Sequence, residues 1–357
     1  MLGRLARATV GGAALAGGAL VASGDEGRRS LLLSLARLDD KLRPTLAAAL
    51  PPDAFVALYS ASRVPYLRAL GASAGEPAGD PAAVRAPVRA MGLTFRNDLG
   101  NAAGLDKDGS LLEFNYTLGS GFAVVGTVLS EGHTGNVFSF LGGLWSGNAW
   151  TPLPLSGGAL NSLGLPSKGV DAALDSIRDF RARHGIAPQR ATATPPKTAR
   201  GVAPGGGPVY PIGLSIMGHP AHGADPAKKL DGVVQCVAKA LPLCDFIEIN
   251  ESCPNVHHGG GGGGAGDKEL QARLRAVVAA RDAHAKSHGG RRVPLLVKLG
   301  ELGDAKETVR FLAALGVDGV VCLNTQKDFA SFELPAAVSR ARRAMGGPER
   351  PPPYLAV

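Results

Sequence analysis

YPIGLSIM (210–217), FIEINES (246–252), PLLVKL (294–299) and GVVCLN (319–324) are the stretches that decide the fold. Each is a short apolar run whose polar residues gather at its end, and the segments between them, Asp225 to Leu241, Lys268 to His288 and Asp304 to Leu315, carry apolar residues at helical spacing. A strand with one wet face alternates polar and apolar residues, whereas a strand covered on both faces does not. These runs therefore predict buried parallel strands joined by right-handed helical crossovers. Working outward, GNAAGL (100–105) and FAVVGTVL (122–129) read as two earlier strands and Val170 to His184 as a further helix. The fold is α/β, with an open doubly wound sheet and a (β/α)8 barrel as the two architectures. Neither GxGxxG nor GxxxxGK[ST] opens the first crossover, which counts against a nucleotide-binding open sheet.

The chain has 357 residues, 45% hydrophobic and 19% charged, which suffices for a large core and excludes a disordered composition. With 50 Gly and 26 Pro the backbone is rich in turns and close approaches. The net charge of +8 is spread along the chain, and 11 Phe, 5 Tyr and 2 Trp are too few for a base-stacking surface, so no nucleic-acid partner is expected. Cys236, Cys244, Cys253 and Cys322 form no CxxC pair, and reduced thiols are expected. His284 and His288 lie on a charged helix without a third ligand, and no metal site is read.

Residues 1–28 carry Arg4 and Arg7, no acid before Asp25, and an uncharged run from Ala8 to Ser23, which fits a mitochondrial targeting segment with a possible membrane anchor. Residues 29–70 form an amphipathic helical extension, read as two short helices broken at Pro44. Such helices either lie in a membrane interface or pack on the main domain. Gly71 to Pro87 reads as a linker, and residues 184–208 as a disordered surface insertion within a domain running from 88 to 330. The glycines of 259–264 are either low-complexity drift or a mobile lid.

Polar residues collect where the strands end: Asp106 and Lys107, Thr127, Ser215, Asn250 with Ser252, Cys253 and Asn255, Lys298, and Asn324 with Thr325. In a barrel these ends share one face, and amides, hydroxyls and two lysines there suit a planar, polar, anionic ligand. The blocks GNAAGLDKDG (100–109), GFAVVGTV (121–128), ALNSLGLPSKGVD (159–171), IEINESCPNV (247–256), LLVKLG (295–300) and GVDGVVCLNT (316–325), in this order, resemble the motifs of the dihydroorotate dehydrogenase family.

The resemblance implies a (β/α)8 TIM barrel holding FMN, oxidation of dihydroorotate to orotate in pyrimidine synthesis, and transfer of electrons onward. By the same resemblance Ala103, Gly104, Leu105, Asp106, Lys107, Thr127, Ser215, Asn250, Lys298 and Leu323 are expected to contact FMN. Lys107, Asn161, Ser162, Leu163, Gly164, Leu165, Asn250, Asn255, Asn324 and Thr325 are expected to bind the substrate, and Cys253 is the expected catalytic base. The presequence-like start and the helical extension resemble the mitochondrial inner-membrane branch, which passes electrons to quinone and places its N-terminal helices at the membrane. Cys253, NSLGLPSKG and Ser215 resemble instead the soluble branches, which use fumarate or NAD. Quinone is the favoured acceptor, and the extension is expected to be dispensable for the flavin chemistry. After Thr325 the family pattern has two more strands, so the barrel reads as truncated after its sixth strand, followed by an atypical basic and Pro-rich tail at 331–357 that leaves a non-catalytic barrel remnant as a further reading.

Overall fold

Residues 24–73, 86–153, 158–189, 209–223, 225–252, 268–290, 292–300, 304–322, 324–325 and 354–356 are described by the computed structural model. Helix α1 (Asp25–Ala49) runs straight through Pro44, against the expected break. Proline removes one backbone hydrogen bond. The same turn is tied by Arg43, which pairs with Asp39 and Asp40 at 2.6 Å each, and by Tyr59, whose hydroxyl donates to Asp39 at 2.5 Å. The break comes at Leu50, extended at ψ 146° ahead of Pro51 as a residue preceding proline prefers. Helix α2 (Pro52–Ala72) follows, so the expected linker begins inside a helix. Phe55, Val56 and Ala57 of α2 are fully buried, which makes the helix part of the core rather than a detachable extension.

A short antiparallel pair, β1 (Val88–Ala90) and β2 (Leu93–Phe95), leads into the expected first strand, which does not form. Residues 100–106 form no regular ladder with the sheet but meet it at isolated parallel bridges, Gly100 with Phe122 and Asp106 with Val125. The reason is local. The Asn101 amide donates to the Val124 carbonyl at 2.7 Å and accepts its N–H at 3.1 Å, so a side chain occupies the place of a backbone ladder. Helix α3 (Leu112–Thr117) then returns to β3 (Ala123–Val128).

Between β3 and α4 (Val170–His184) lie six short strands that the apolar pattern does not announce: β4 (Gly132–His133), β5 (Val137–Phe140), β6 (Trp145–Asn148), β7 (Trp150–Pro152), β8 (Ala159–Asn161) and β9 (Ser167–Lys168). β4 pairs with β9, β5 with β6, and β7 with β8, all antiparallel. Val56 and Ala57 of α2 pack here with Phe138 and Leu160.

Helix α4 ends at Gly185, left-handed at φ 62°. The expected insertion does not start there. Ile186 is buried, and the Gln189 backbone N–H and the Ile212 N–H both donate to Asp245, which also receives the buried Arg181 guanidinium. Residues 190–208 lie outside the described residues, as does the glycine run.

The chain then alternates as read: β10 (Ile212–Ile216), α5 (Pro226–Ala240), β11 (Phe246–Asn250), α6 (Lys268–Ser287), β12 (Leu295–Leu299), α7 (Ala305–Ala314) and β13 (Gly319–Cys322). Asp225 caps α5 by accepting from Lys228 N–H at 3.0 Å, with Pro226 supplying the first turn. The sheet order is β13–β12–β11–β10–β3, every neighbour parallel. Its outer side is covered by residues at helical spacing such as Leu174 and Ile177, Val233 and Val237, and Leu270 and Leu274. A final strand, β14 (Tyr354–Ala356), pairs antiparallel with β8.

Candidate active site

The register of the sheet places the polar strand ends side by side. Ser215 lies opposite Glu248 across β10 and β11, and Asn250 opposite Lys298 across β11 and β12. A cavity of about 320 Å³ opens at these ends. The sheet contributes Thr127, Asn250, Lys298, Asn324 and Thr325 to its wall. The loop before α3 contributes Ala103, Gly104, Leu105 and Lys107, and the region around β8 contributes Asn161, Leu163 and Leu165. Gly104 sits at φ 112°, a backbone conformation that favours glycine, with open space where a Cβ would stand.

Four residues expected to touch a ligand do not line this wall: Ser215, Ser162 and Asp106 are buried behind it, and Gly164 is half-buried beside them. Ser215 is fully buried between Thr127 and Glu248. The Ser162 hydroxyl receives the Asn136 amide, and Gly164 packs against the same Asn136. Their contribution is to shape the loop that carries Leu163 and Leu165. Asp106 is likewise fully buried. None of its neighbours meets hydrogen-bond geometry with either carboxylate oxygen, although the backbone N–H groups of Asp108, Gly109 and Leu111 lie close enough to favour the charge. Burial dominates and pushes its pKa up to about 7. Cys253, Asn255 and Leu323 lie outside the described residues.

The sequence reading missed Arg63, Trp150, Asn101 and Glu248, and it placed Ser252 at its strand end without giving it a role. Arg63 reaches the cavity from α2, its guanidinium 5.2 Å from the centre of the Trp150 ring, and Trp150 lines the wall beside it. Asn101 lines it as well. Ser252 donates to Asn250 Oδ1 through its backbone N–H at 3.0 Å and its hydroxyl at 2.8 Å, and accepts the Asn324 amide at 2.8 Å. Glu248 is a charged residue inside an apolar run, which is the signal that could have found it. Burial raises its pKa, opposed by Lys298 and by the Ser215 hydroxyl.

A second cavity of about 610 Å³ adjoins the first and shares Arg63, Leu105, Lys107 and Leu163 with it. Val64 and Arg68 of α2 form one side, and Asp108, His133 and Lys168 lie opposite. Burial alone would raise the Asp108 pKa, but Lys168, 2.6 Å away, and Ser110 outweigh it and hold the carboxyl below its usual range. Among the described residues no group of three or more His, Cys, Asp or Glu could hold a metal ion, and no helix is long and apolar enough to cross a membrane.

The chemistry available is that of a cationic, amide-rich pocket: it can grip a flat ring with both donor and acceptor edges and compensate negative charge on it. Residues 85–348 match the family profile described as dihydroorotate dehydrogenase. A protein named dihydroorotate dehydrogenase (quinone) from Stenotrophomonas maltophilia strain K279a is 30% identical over 266 residues, covering 72% of this chain and 63% of that protein. One of the same name from Flavobacterium lutescens is 31% identical over 271 residues, covering 73% and 64%. The chain thus spans somewhat less than two thirds of the length of these relatives. Two crystal structures of DHODH from Eimeria tenella share the fold. The one in complex with ferulenol has a TM-score of 0.53 at 20% identity, covering 77% of this chain and 65% of that chain. The ligand-free one has a TM-score of 0.51 at 18% identity, covering 80% and 77%. A profile match over well over half its length, on an α/β fold with this cavity at the strand ends, establishes that the chain belongs to the dihydroorotate dehydrogenase family.

Proposed function

We propose that this chain oxidises dihydroorotate to orotate in pyrimidine synthesis, using FMN and passing the electrons to quinone. The observation that carries the reading is the convergence of Lys107, Asn161, Asn250, Lys298, Asn324 and Thr325 on one cavity from five separate stretches of sequence. The residues fit FMN on the ring side: Gly104 leaves room for close approach, and Lys298, only 6% exposed, is a buried cation facing the cavity. FMN, when bound, supplies the hydride acceptor. Within the chain, Lys298 compensates negative charge at the ring, Lys107 pairs with the substrate carboxylate, and the amides of Asn161, Asn250 and Asn324 orient the substrate's C=O and N–H edges. Cys253 takes the C5 proton. Because an ordinary thiol titrates near ~8.5, a base of this kind works as its thiolate, a form that positive charge favours.

The five parallel strands and residues 100–106 are, in this reading, six staves of a TIM barrel. Quinone enters by the second cavity, whose side is formed by α2, and α1 rests on a membrane. The inner mitochondrial membrane is the location that Arg4, Arg7 and the acid-free run to Ser23 support. One observation favours a second reading, a fumarate-linked enzyme: Arg63, Arg68, Lys107 and Lys168 surround the second cavity, and among the described residues that line it Asp108 alone is acidic, which suits a small dicarboxylate. The test is anaerobic addition of dihydroorotate to the FMN-loaded protein. Bleaching of the flavin band is expected, followed by its return on adding a short-chain quinone. No bleaching overturns the oxidation, and return with fumarate alone transfers the proposal to the second reading.

A further inference from the structure

From Asn250 and Thr127 in the wall of the first cavity, a hydrogen-bond chain runs back to Ser215 and Glu248, two buried side chains that the proposed reaction does not itself require. Asn250 Nδ2 donates to Thr127 Oγ1 at 2.7 Å, Thr127 Oγ1 meets Ser215 Oγ at 3.0 Å, and Ser215 Oγ donates to Glu248 Oε1 at 2.7 Å. Counting protons fixes its direction. The Asn250 oxygen already accepts two bonds from Ser252, so its nitrogen must face Thr127, and an amide nitrogen only donates. Ser215 has one proton and gives it to Glu248, so the proton between Ser215 and Thr127 belongs to Thr127. With Glu248 ionised, every bond points toward the carboxylate, and Thr127 presents only a lone pair to the cavity it lines.

Protonating Glu248 reverses this. Its O–H then donates to Ser215, the Ser215 hydroxyl turns to Thr127, and Thr127 already accepts from Asn250. The Thr127 proton has nowhere left to go but the cavity. We propose that Glu248 is a positioning residue whose charge state decides whether Thr127 offers the bound ligand an acceptor or a donor. Burial of Glu248, 3% exposed, is what makes the neutral form accessible, and Lys298 is the charged group that opposes it across the sheet among the described residues. The consequence, which rests on the proposed FMN reading, is that extra negative charge on the ring draws a proton onto Glu248 and a hydrogen bond from Thr127.

Two measurements separate the ideas. Infrared titration of the ligand-free protein is expected to show a protonated-carboxyl band that grows as pH falls, is missing in Glu248→Gln and moves in Ser215→Ala. Absence of that band from the wild type, or its indifference to Ser215→Ala, overturns the relay whether or not FMN binds. In the FMN-loaded protein, the flavin reduction potential of the wild type is expected to bend with pH where Glu248 titrates. Glu248→Gln keeps the acceptor for Ser215 and the shape of the site but removes the charge, so its potential is expected to lie higher and to lose that bend. Superimposable potential–pH curves for the two proteins overturn the proposal. Failure of both proteins to bind FMN overturns the cofactor reading instead, leaving the infrared result to decide the relay.

Discussion

Asp106 carries a cost that its neighbours only partly offset. Its folded pKa of about 7 stands above the ordinary carboxylate value of 3.8, so the folded state binds the proton more tightly than the unfolded one. The group's stabilising contribution is complete below the unfolded pKa and is lost as pH rises through about 7. A difference of about three units corresponds to a penalty on the order of 4 kcal/mol in alkali. Asp106→Asn is therefore expected to melt higher than the wild type at pH 8, with the gap closing toward pH 4. A gap independent of pH would show that the carboxyl is not protonated on folding. For Lys298→Ala the expected result is weaker FMN binding by about ten- to hundredfold in Kd, the worth of one charge-assisted hydrogen bond, read by flavin fluorescence quenching. Unchanged affinity would remove Lys298 from the cofactor site. Cys253→Ala is expected to abolish flavin reduction by dihydroorotate, while Cys253→Ser keeps part of it with an altered pH profile, because the hydroxyl is the poorer base. Undiminished reduction in the alanine variant would exclude Cys253 as the base. Lys107, Asn250, Lys298 and Asn324 were legible in the sequence because each interrupts or ends an apolar run. Arg63 was not, since nothing in a helix ahead of the sheet says that one of its side chains will stack on Trp150. Ser162 and Ser215 show the converse: a motif names the neighbourhood of a ligand without saying which side chains stand one layer behind the wall.

Helix α2 sets the limits on what can be removed from this protein. Phe55 packs with Tyr59 and Ala47, Val56 with Phe138 and Leu160, and Leu70 with Leu111 and Phe114, so three separate clusters close over it. Burying one large apolar side chain is worth about 1.5–3 kcal/mol. Deleting residues 1–73 is therefore expected to lower the melting temperature sharply and to abolish FMN binding together with quinone reduction. Survival of dye-linked activity at wild-type stability would mean that the clusters are dispensable and α2 serves only the acceptor path. The parallel strands and their helices were legible because burial on both faces writes a continuous apolar run and helix packing writes a 3.6-residue period. The stretch at 100–105 carries the same apolar texture, yet Asn101 bonds Val124 with its side chain and prevents a regular strand. Strands β4 to β9 escaped notice because they are two to four residues long, too short for any period to register.

At the scale of the whole molecule, the outer surface of α1 carries an exposed apolar stripe. Leu35, Leu38 and Leu42, at i, i+3 and i+7, are 37%, 50% and 45% exposed, a stripe on one face of a helix that buries Leu32 on another. A helix that is not apolar enough to span a bilayer can still lie in its interface, burying such a stripe to the depth of the headgroups. The net charge of +8 adds attraction to anionic lipid, and the two contributions differ in their response to salt. The full-length protein is expected to sediment with vesicles of anionic phospholipid, to be partly released by high salt, and to keep a salt-resistant fraction held by the leucines. Combining Leu35→Ser, Leu38→Ser and Leu42→Ser is expected to remove that resistant fraction while leaving FMN binding intact, because none of the three residues lines either cavity. Retention of the salt-resistant fraction by the triple variant would show that α1 does not meet the membrane. Loss of FMN binding in the variant would show that the stripe packs within the protein rather than on lipid. If the variant instead reduces short-chain quinone normally but fails with a long-chain quinone embedded in the vesicle, the role of α1 is to bring the second cavity to the depth at which its substrate is dissolved.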